Sequence, residues 1–278
     1  MNKQKIHSVV FSFFLLFSML YSQKVNYEKM SAVDANGYNY EYVTNDPTAT
    51  RIYTLNNGLK VYLSENKSEP RILSMVAVKA GGKNDPDETT GLAHYFEHMM
   101  FKGTDEIGTL DWEKEQPLIQ QITDLFELHR ITSEPEEKKA IYAKIDSLSN
   151  LASHYAVPNE YQKMMASIGG TGTNAWTSNE ATVYVNNIPA NELERYLKIE
   201  SERFSRPVLR LFHTELETVY EEFNMSQDSD QRQVFSSIQS TLFPKHPYGR
   251  STVLGEPEHL KNPSMVNIMN FFDTYYVP

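Results

Sequence analysis

The stretch GLAHYFEHMMFKGT, Gly91 to Thr104, places His94, Glu97 and His98 in an H-x-x-E-H pattern. On a helix, positions i, i+3 and i+4 project from one face, so the two imidazoles can reach one metal ion with the carboxylate beside them. The local sequence favours that helix. Thr90 is a candidate N-cap, and Leu92, Ala93, Tyr95, Phe96, Met99 and Met100 would bury the segment. Two neutral imidazoles suit Zn²⁺, one ion per chain, which needs a third protein ligand and keeps a position open for water. Glu97 is then placed to take a proton from water.

Composition narrows the remaining choices. The chain has 278 residues, 40% of them hydrophobic, enough for a sizeable core. A formal charge of −10 without a basic cluster excludes a nucleic-acid binder. Cysteine is absent, which leaves His and carboxylate as the strong zinc ligands. At the amino terminus, Lys3 and Lys5 precede an apolar run from Val9 to Tyr21, the pattern of a signal peptide over residues 1–22. The run is short for a membrane span, which needs about 20 apolar residues. The expectation is an exported protein, periplasmic or extracellular, with no stable membrane span after cleavage; an uncleaved anchor is the other reading.

Working outward, residues 23–50 are polar and read as a mostly irregular lead-in. Ile52–Leu55 and Leu59–Leu63 flank Asn56-Asn57-Gly58, a hairpin signal, and a third strand runs from Ile72 to Val78. After Gly103, apolar residues at helical spacing over 111–131 and again from Ile141 to Tyr155 predict a helical hairpin. Ser133, Pro135 and Glu136 would cap its second arm. A short helix follows over 159–168. Ala181, Val183 and Val185 alternate as in a half-buried strand, and further helices are expected over 191–206, 231–243 and 262–275.

The run HYFEHMMFKGT resembles, almost letter for letter, the active-site helix of the pitrilysin or insulinase family of zinc peptidases. GGTGTNAWTSNEATVYVNNIP, Gly169 to Pro189, resembles that family's loop and strand beside the metal cleft. The segment FHTELETVYEEF, Phe212 to Phe223, holds several carboxylates for the vacant ligand position. The family places its third ligand on a helix here, with another Glu seven residues earlier, a separation that Glu215 and Glu222 have. Seven residues is close to two turns, while Glu221 is rotated about 100° from Glu222. The resemblance thus implies metal ligands His94, His98 and Glu222, a catalytic Glu97, and Glu215 as the carboxylate that orients a ligating imidazole. It also implies substrate contacts at Phe101, Asn174 and Ala175.

The fold it implies is α+β, a mainly antiparallel sheet with helices packed on it. Residues 51–278 would form the peptidase domain, with a helical hairpin inserted at about 105–168. The 123 residues between His98 and Glu222 exceed the spacing of short family members, and the hairpin accounts for the excess as a surface insertion. The implied activity is zinc-dependent endoproteolysis of peptides or unfolded protein segments. Because the family continues past this point, the chain reads as truncated at its carboxyl end, with a C-terminal half or partner subunit closing the chamber. The alternative is a non-catalytic or half-site partner subunit of a two-chain peptidase.

Overall fold

The computed structural model describes residues 25–250 and 252–278. The expected signal peptide lies outside the described residues. The chain divides into two compact units, one ending at Glu69 and one spanning Pro70–Val277.

The first unit is an antiparallel meander of β1 (Lys29–Val33), β2 (Asn39–Val43), β3 (Arg51–Thr54) and β4 (Lys60–Leu63). The β3–β4 hairpin pairs Thr54 with Lys60 across the expected Asn-Asn-Gly turn, where Gly58 has φ 96°. The lead-in is not irregular, because β1 and β2 pair in register from Lys29↔Val43 to Val33↔Asn39. Their turn is built by Asp34, whose carboxylate accepts the backbone N–H of Asn36 and Tyr38, each at 2.9 Å. β1, KMSAV, is largely exposed, its apolar Met30 and Val33 included. The β preference of Tyr40 and Tyr42 carries the pairing, with the Tyr40 ring 5.6 Å from Tyr53.

In the second unit, β5 (Arg71–Val78), β6 (Thr171–Thr177) and β7 (Thr182–Pro189) form a separate antiparallel sheet in the order β5-β7-β6. The fold is α+β as expected, with its strands shared between two sheets. β5 and β7 pair in full register from Arg71↔Pro189 to Val78↔Thr182. The buried face of β7 is the opposite of the one its valines suggest. Thr182, Tyr184, Asn186 and Ile188 point inward, and Val183 and Val185 are only half-buried. The polar groups turned inward all find partners: Thr182 donates to the Ala80 carbonyl at 3.0 Å, Asn186 donates to the Tyr161 hydroxyl at 3.0 Å, and the Tyr184 and Tyr276 hydroxyls meet at 2.7 Å.

The helices of this unit are α1 (Leu92–Met99), α2 (Trp112–Ile131), α3 (Pro135–Ser153), α4 (Glu160–Ser167), α5 (Leu193–Ser205), α6 (Phe212–Gln227), α7 (Asp230–Leu242), α8 (Pro247–Arg250), α9 (Pro257–Lys261) and α10 (Met265–Tyr275), of which α1, α4 and α5 lie against the sheet. The α2–α3 hairpin is closed at its base, where Leu110 N–H bonds the Tyr155 carbonyl at 2.7 Å and Val157 N–H bonds Gly108 at 2.8 Å. It is not a surface appendage. Ile122 and Phe126 of α2 and Ile141 and Ile145 of α3 belong to the same core cluster as Phe96 and Met99 of α1 and Phe212 of α6. The expected capping by Ser133 is absent; Glu134 is the N-cap and Pro135 opens the helix. Likewise Ser264, not Asn262, caps α10 by accepting from Asn267 N–H at 3.0 Å. Among the described residues no helix is long and apolar enough to cross a membrane.

Candidate metal centre

The helix that carries His94 and His98 is capped from outside its own sequence. Gly91, in the left-handed region at φ 81°, is the N-cap in place of Thr90. A side chain at Gly91 would also meet the Leu254 carbonyl at 2.6 Å, so only glycine fits there. Asp85 supplies the missing acceptors, taking Gly91 N–H at 2.8 Å and Ala93 N–H at 2.9 Å. The Thr90 hydroxyl is engaged elsewhere, 2.8 Å from His259 Nδ1 and accepting Glu256 N–H at 2.9 Å. Leu92, Tyr95, Phe96 and Met99 then bury this helix on several sides, leaving the two histidines half-buried.

Three ligand atoms converge there. His94 Nε2 lies 3.3 Å from His98 Nε2 and 3.3 Å from Glu222 Oε2, and His98 Nε2 lies 3.6 Å from Glu222 Oε2. A tetrahedral zinc ion about 2.0–2.1 Å from each ligand needs ligand atoms about 3.3 Å apart, so the triangle fits the ion. Burial, reinforced by His98, lowers the His94 pKa to about 4, so its imidazole is neutral and able to ligate. Burial also pulls His98 down, but its bond to Glu215 and the nearby Glu222 and Glu97 outweigh this and raise its pKa. That surplus of negative charge is what a divalent cation neutralises.

The supporting groups are equally specific. Glu215 Oε1 lies 2.7 Å from His98 Nδ1; this carboxylate accepts the Nδ1–H and leaves Nε2 with its lone pair toward the cluster. The other oxygen of Glu215 pairs with the Lys102 ammonium. Glu97 is 7% exposed, and its Oε2 accepts the Thr177 hydroxyl at 2.5 Å. Burial raises the Glu97 pKa, against the opposing pull of the Thr177 hydrogen bond.

Glu222 and Glu215 reach the cluster because Phe212, Leu216 and Val219 bury the core face of α6 and turn the two carboxylates to one side. Glu217 and Glu221 are exposed, while rotation about the helix axis turns the half-buried Glu222 toward the histidines. Of the expected substrate residues, Asn174 is exposed on β6, at the edge of its sheet, and Ala175 packs inward against the core. Phe101 is held among aromatic groups, 5.7 Å from the Tyr161 ring and 6.1 Å from Tyr184, with the Arg203 guanidinium 5.4 Å from its centroid. Sequence reasoning missed Lys102 and Thr177. Neither has a local signal: Lys102 lies past the end of α1 and pairs with Glu215 on α6, and Thr177 meets Glu97 across 80 residues.

The profile of the insulinase family (Peptidase family M16) matches residues 60–115 and 147–255, leaving out 116–146, most of the helical hairpin. A probable mitochondrial-processing peptidase subunit beta of Arabidopsis thaliana is 24% identical over 237 residues, covering 82% of this chain and 34% of the relative. The insulin-degrading enzyme of Bos taurus is 24% identical over 264 residues, covering 91% of this chain and 21% of the relative. The chain therefore spans about a third or less of the length of these relatives. Two solved structures share the fold: a protease from Helicobacter pylori, with TM-score 0.60 and 23% identity over 82% of this chain and 43% of that one, and pitrilysin, with TM-score 0.58 and 18% identity over 91% and 22%.

Proposed function

The chain belongs to the insulinase family, peptidase family M16, and on that premise we propose that it is a zinc-dependent endopeptidase acting on peptides or unfolded polypeptide segments. The observation that carries the proposal is the convergence of His94 Nε2, His98 Nε2 and Glu222 Oε2 beside a buried Glu97. His94, His98 and Glu222 would hold the ion. Bound there, zinc supplies a Lewis acid that polarises the scissile carbonyl and eases deprotonation of the attacking water.

The chain's own residues do the rest. Glu97 takes the proton from the water and returns it to the leaving amine, a double task suited to a carboxyl whose pKa burial has raised. The Thr177 hydroxyl anchors one Glu97 oxygen and leaves the other free to meet the water. Glu215 keeps His98 in the tautomer that ligates. The free edge of β6 is suited to an extended peptide, which can pair its own N–H and C=O groups there while its side chains pass Asn174.

The naming of relatives as beta subunits supports a second reading, in which this chain supplies one half of a two-chain peptidase. Export to the periplasm or the extracellular space remains part of the proposal, on the apolar run from Val9 to Tyr21. The test is cleavage of a quenched, unstructured peptide by the zinc-loaded full-length protein. Activity that disappears with a chelator and returns with zinc is expected. No cleavage at one equivalent of bound zinc would favour the half-site reading.

A further inference from the structure

Glu215 is 8% exposed, yet both of its oxygens are engaged: Oε1 by His98 Nδ1 and Oε2 by the Lys102 ammonium. Lys102 lies in the turn just after α1, outside the ligand set and outside H-x-x-E-H. Its backbone is fixed independently of its side chain, because the Lys102 carbonyl accepts Arg210 Nη1 at 2.9 Å, and Arg210 is in turn paired with buried Glu115 at 2.6 Å. The ammonium is thus delivered from a rigid turn to one oxygen of a buried carboxylate whose other oxygen holds a candidate metal ligand.

We propose that Lys102 is a positioning residue for the metal site, acting on His98 through Glu215. With Oε2 tied to the ammonium, the carboxylate cannot rotate away from His98, so Oε1 keeps the Nδ1–H and Nε2 stays turned toward His94 and Glu222. The ammonium also offsets the carboxylate's charge at a site where a lone buried anion is costly. Without it, Oε2 loses its partner and the carboxylate must turn toward water or another donor, which loosens His98. Groups that support a ligating histidine in this way typically change metal affinity by about 10- to 100-fold. This inference rests on reading the cluster as a zinc site, and its test does not depend on peptidase activity.

The experiment is zinc affinity of the full-length protein, measured by competition with a chromophoric chelator, for wild type, Lys102→Met, Lys102→Gln, Lys102→Arg, Glu215→Gln, the double variant Lys102→Met/Glu215→Gln, and His98→Ala. Thermal unfolding of each metal-free form serves as the folding control. Methionine keeps the apolar stem and removes the donors, and glutamine provides a second, polar replacement. We expect Lys102→Met and Lys102→Gln to weaken zinc binding about tenfold or more, Lys102→Arg to recover most of it, and the double variant to bind about as well as Glu215→Gln alone. Binding within twofold of wild type in both Lys102 variants, or penalties that multiply as for independent groups, would overturn the proposal. If that happens while His98→Ala abolishes binding, only Lys102's role is lost. If wild type binds no zinc, or His98→Ala binds as wild type does, the zinc-site reading falls and the role of Lys102 falls with it.

Discussion

At the residue scale, the cluster depends on hydrogen bonds that select one state of each functional group. His98 has its tautomer chosen by Glu215, and Glu97 has one oxygen held by Thr177. The consequence for Thr177 is specific. Thr177→Val removes the donor at nearly constant volume and should lower kcat by about 10- to 100-fold, the scale at which a misplaced catalytic group costs rate, with zinc content and KM little changed. Thr177→Ser should restore most of the rate. Steady-state kinetics on an unstructured peptide checks this, and an unchanged kcat in Thr177→Val would show that Glu97 is positioned by other contacts. Both histidines and Glu97 were legible in the sequence, because H-x-x-E-H on one helix fixes a shared face; Glu215 and Glu222 were picked out among several carboxylates by the family resemblance, with their seven-residue separation then putting them on one side. Thr177 was not, because strand-to-helix packing brings it to Glu97 and no local spacing records that.

At the element scale, the α2–α3 hairpin has a different role from the one its sequence suggests. Its apolar stripes mark two amphipathic helices correctly, and Asp111 caps the first by accepting Lys114 N–H. Their spacing does not say what they pack on. Phe126, 1% exposed, meets the Phe212 ring at 5.0 Å at the start of the helix that carries Glu215 and Glu222. Phe126→Ala should therefore destabilise the protein by about 3–5 kcal/mol, the usual cost of emptying an aromatic core site. Denaturant unfolding monitored by circular dichroism measures it, and a cost below about 1 kcal/mol would return the hairpin to the status of a surface insertion. The β7 strand teaches the same lesson. Valine alternation located the strand, but buried Tyr184, Asn186 and Thr182 satisfy their polar groups inside, so the sheet buries the less hydrophobic face.

At the scale of the whole molecule, the α+β class and the order of hairpin, strand and H-x-x-E-H helix were readable, since periodicity and turn chemistry are local signals. The division of the strands into two sheets was not, because it depends on β5 pairing with β7 across more than 100 residues. The first unit's leading strands were also missed: KMSAV and NYEYV do alternate, but each is only five residues long and is set among Asn, Asp and Gly. What unites the scales is one arrangement: α1, α6 and β6 bring His94, His98, Glu222 and Glu97 together, the set proposed to hold zinc and activate water. The measurement that tests it most directly compares wild type with Glu97→Gln, recording bound zinc and peptide cleavage on the same preparations. Glu97→Gln should keep one equivalent of zinc and lose cleavage by about 10²- to 10⁴-fold, the contribution of a general base. A variant that cleaves at the wild-type rate with its zinc in place would contradict the account.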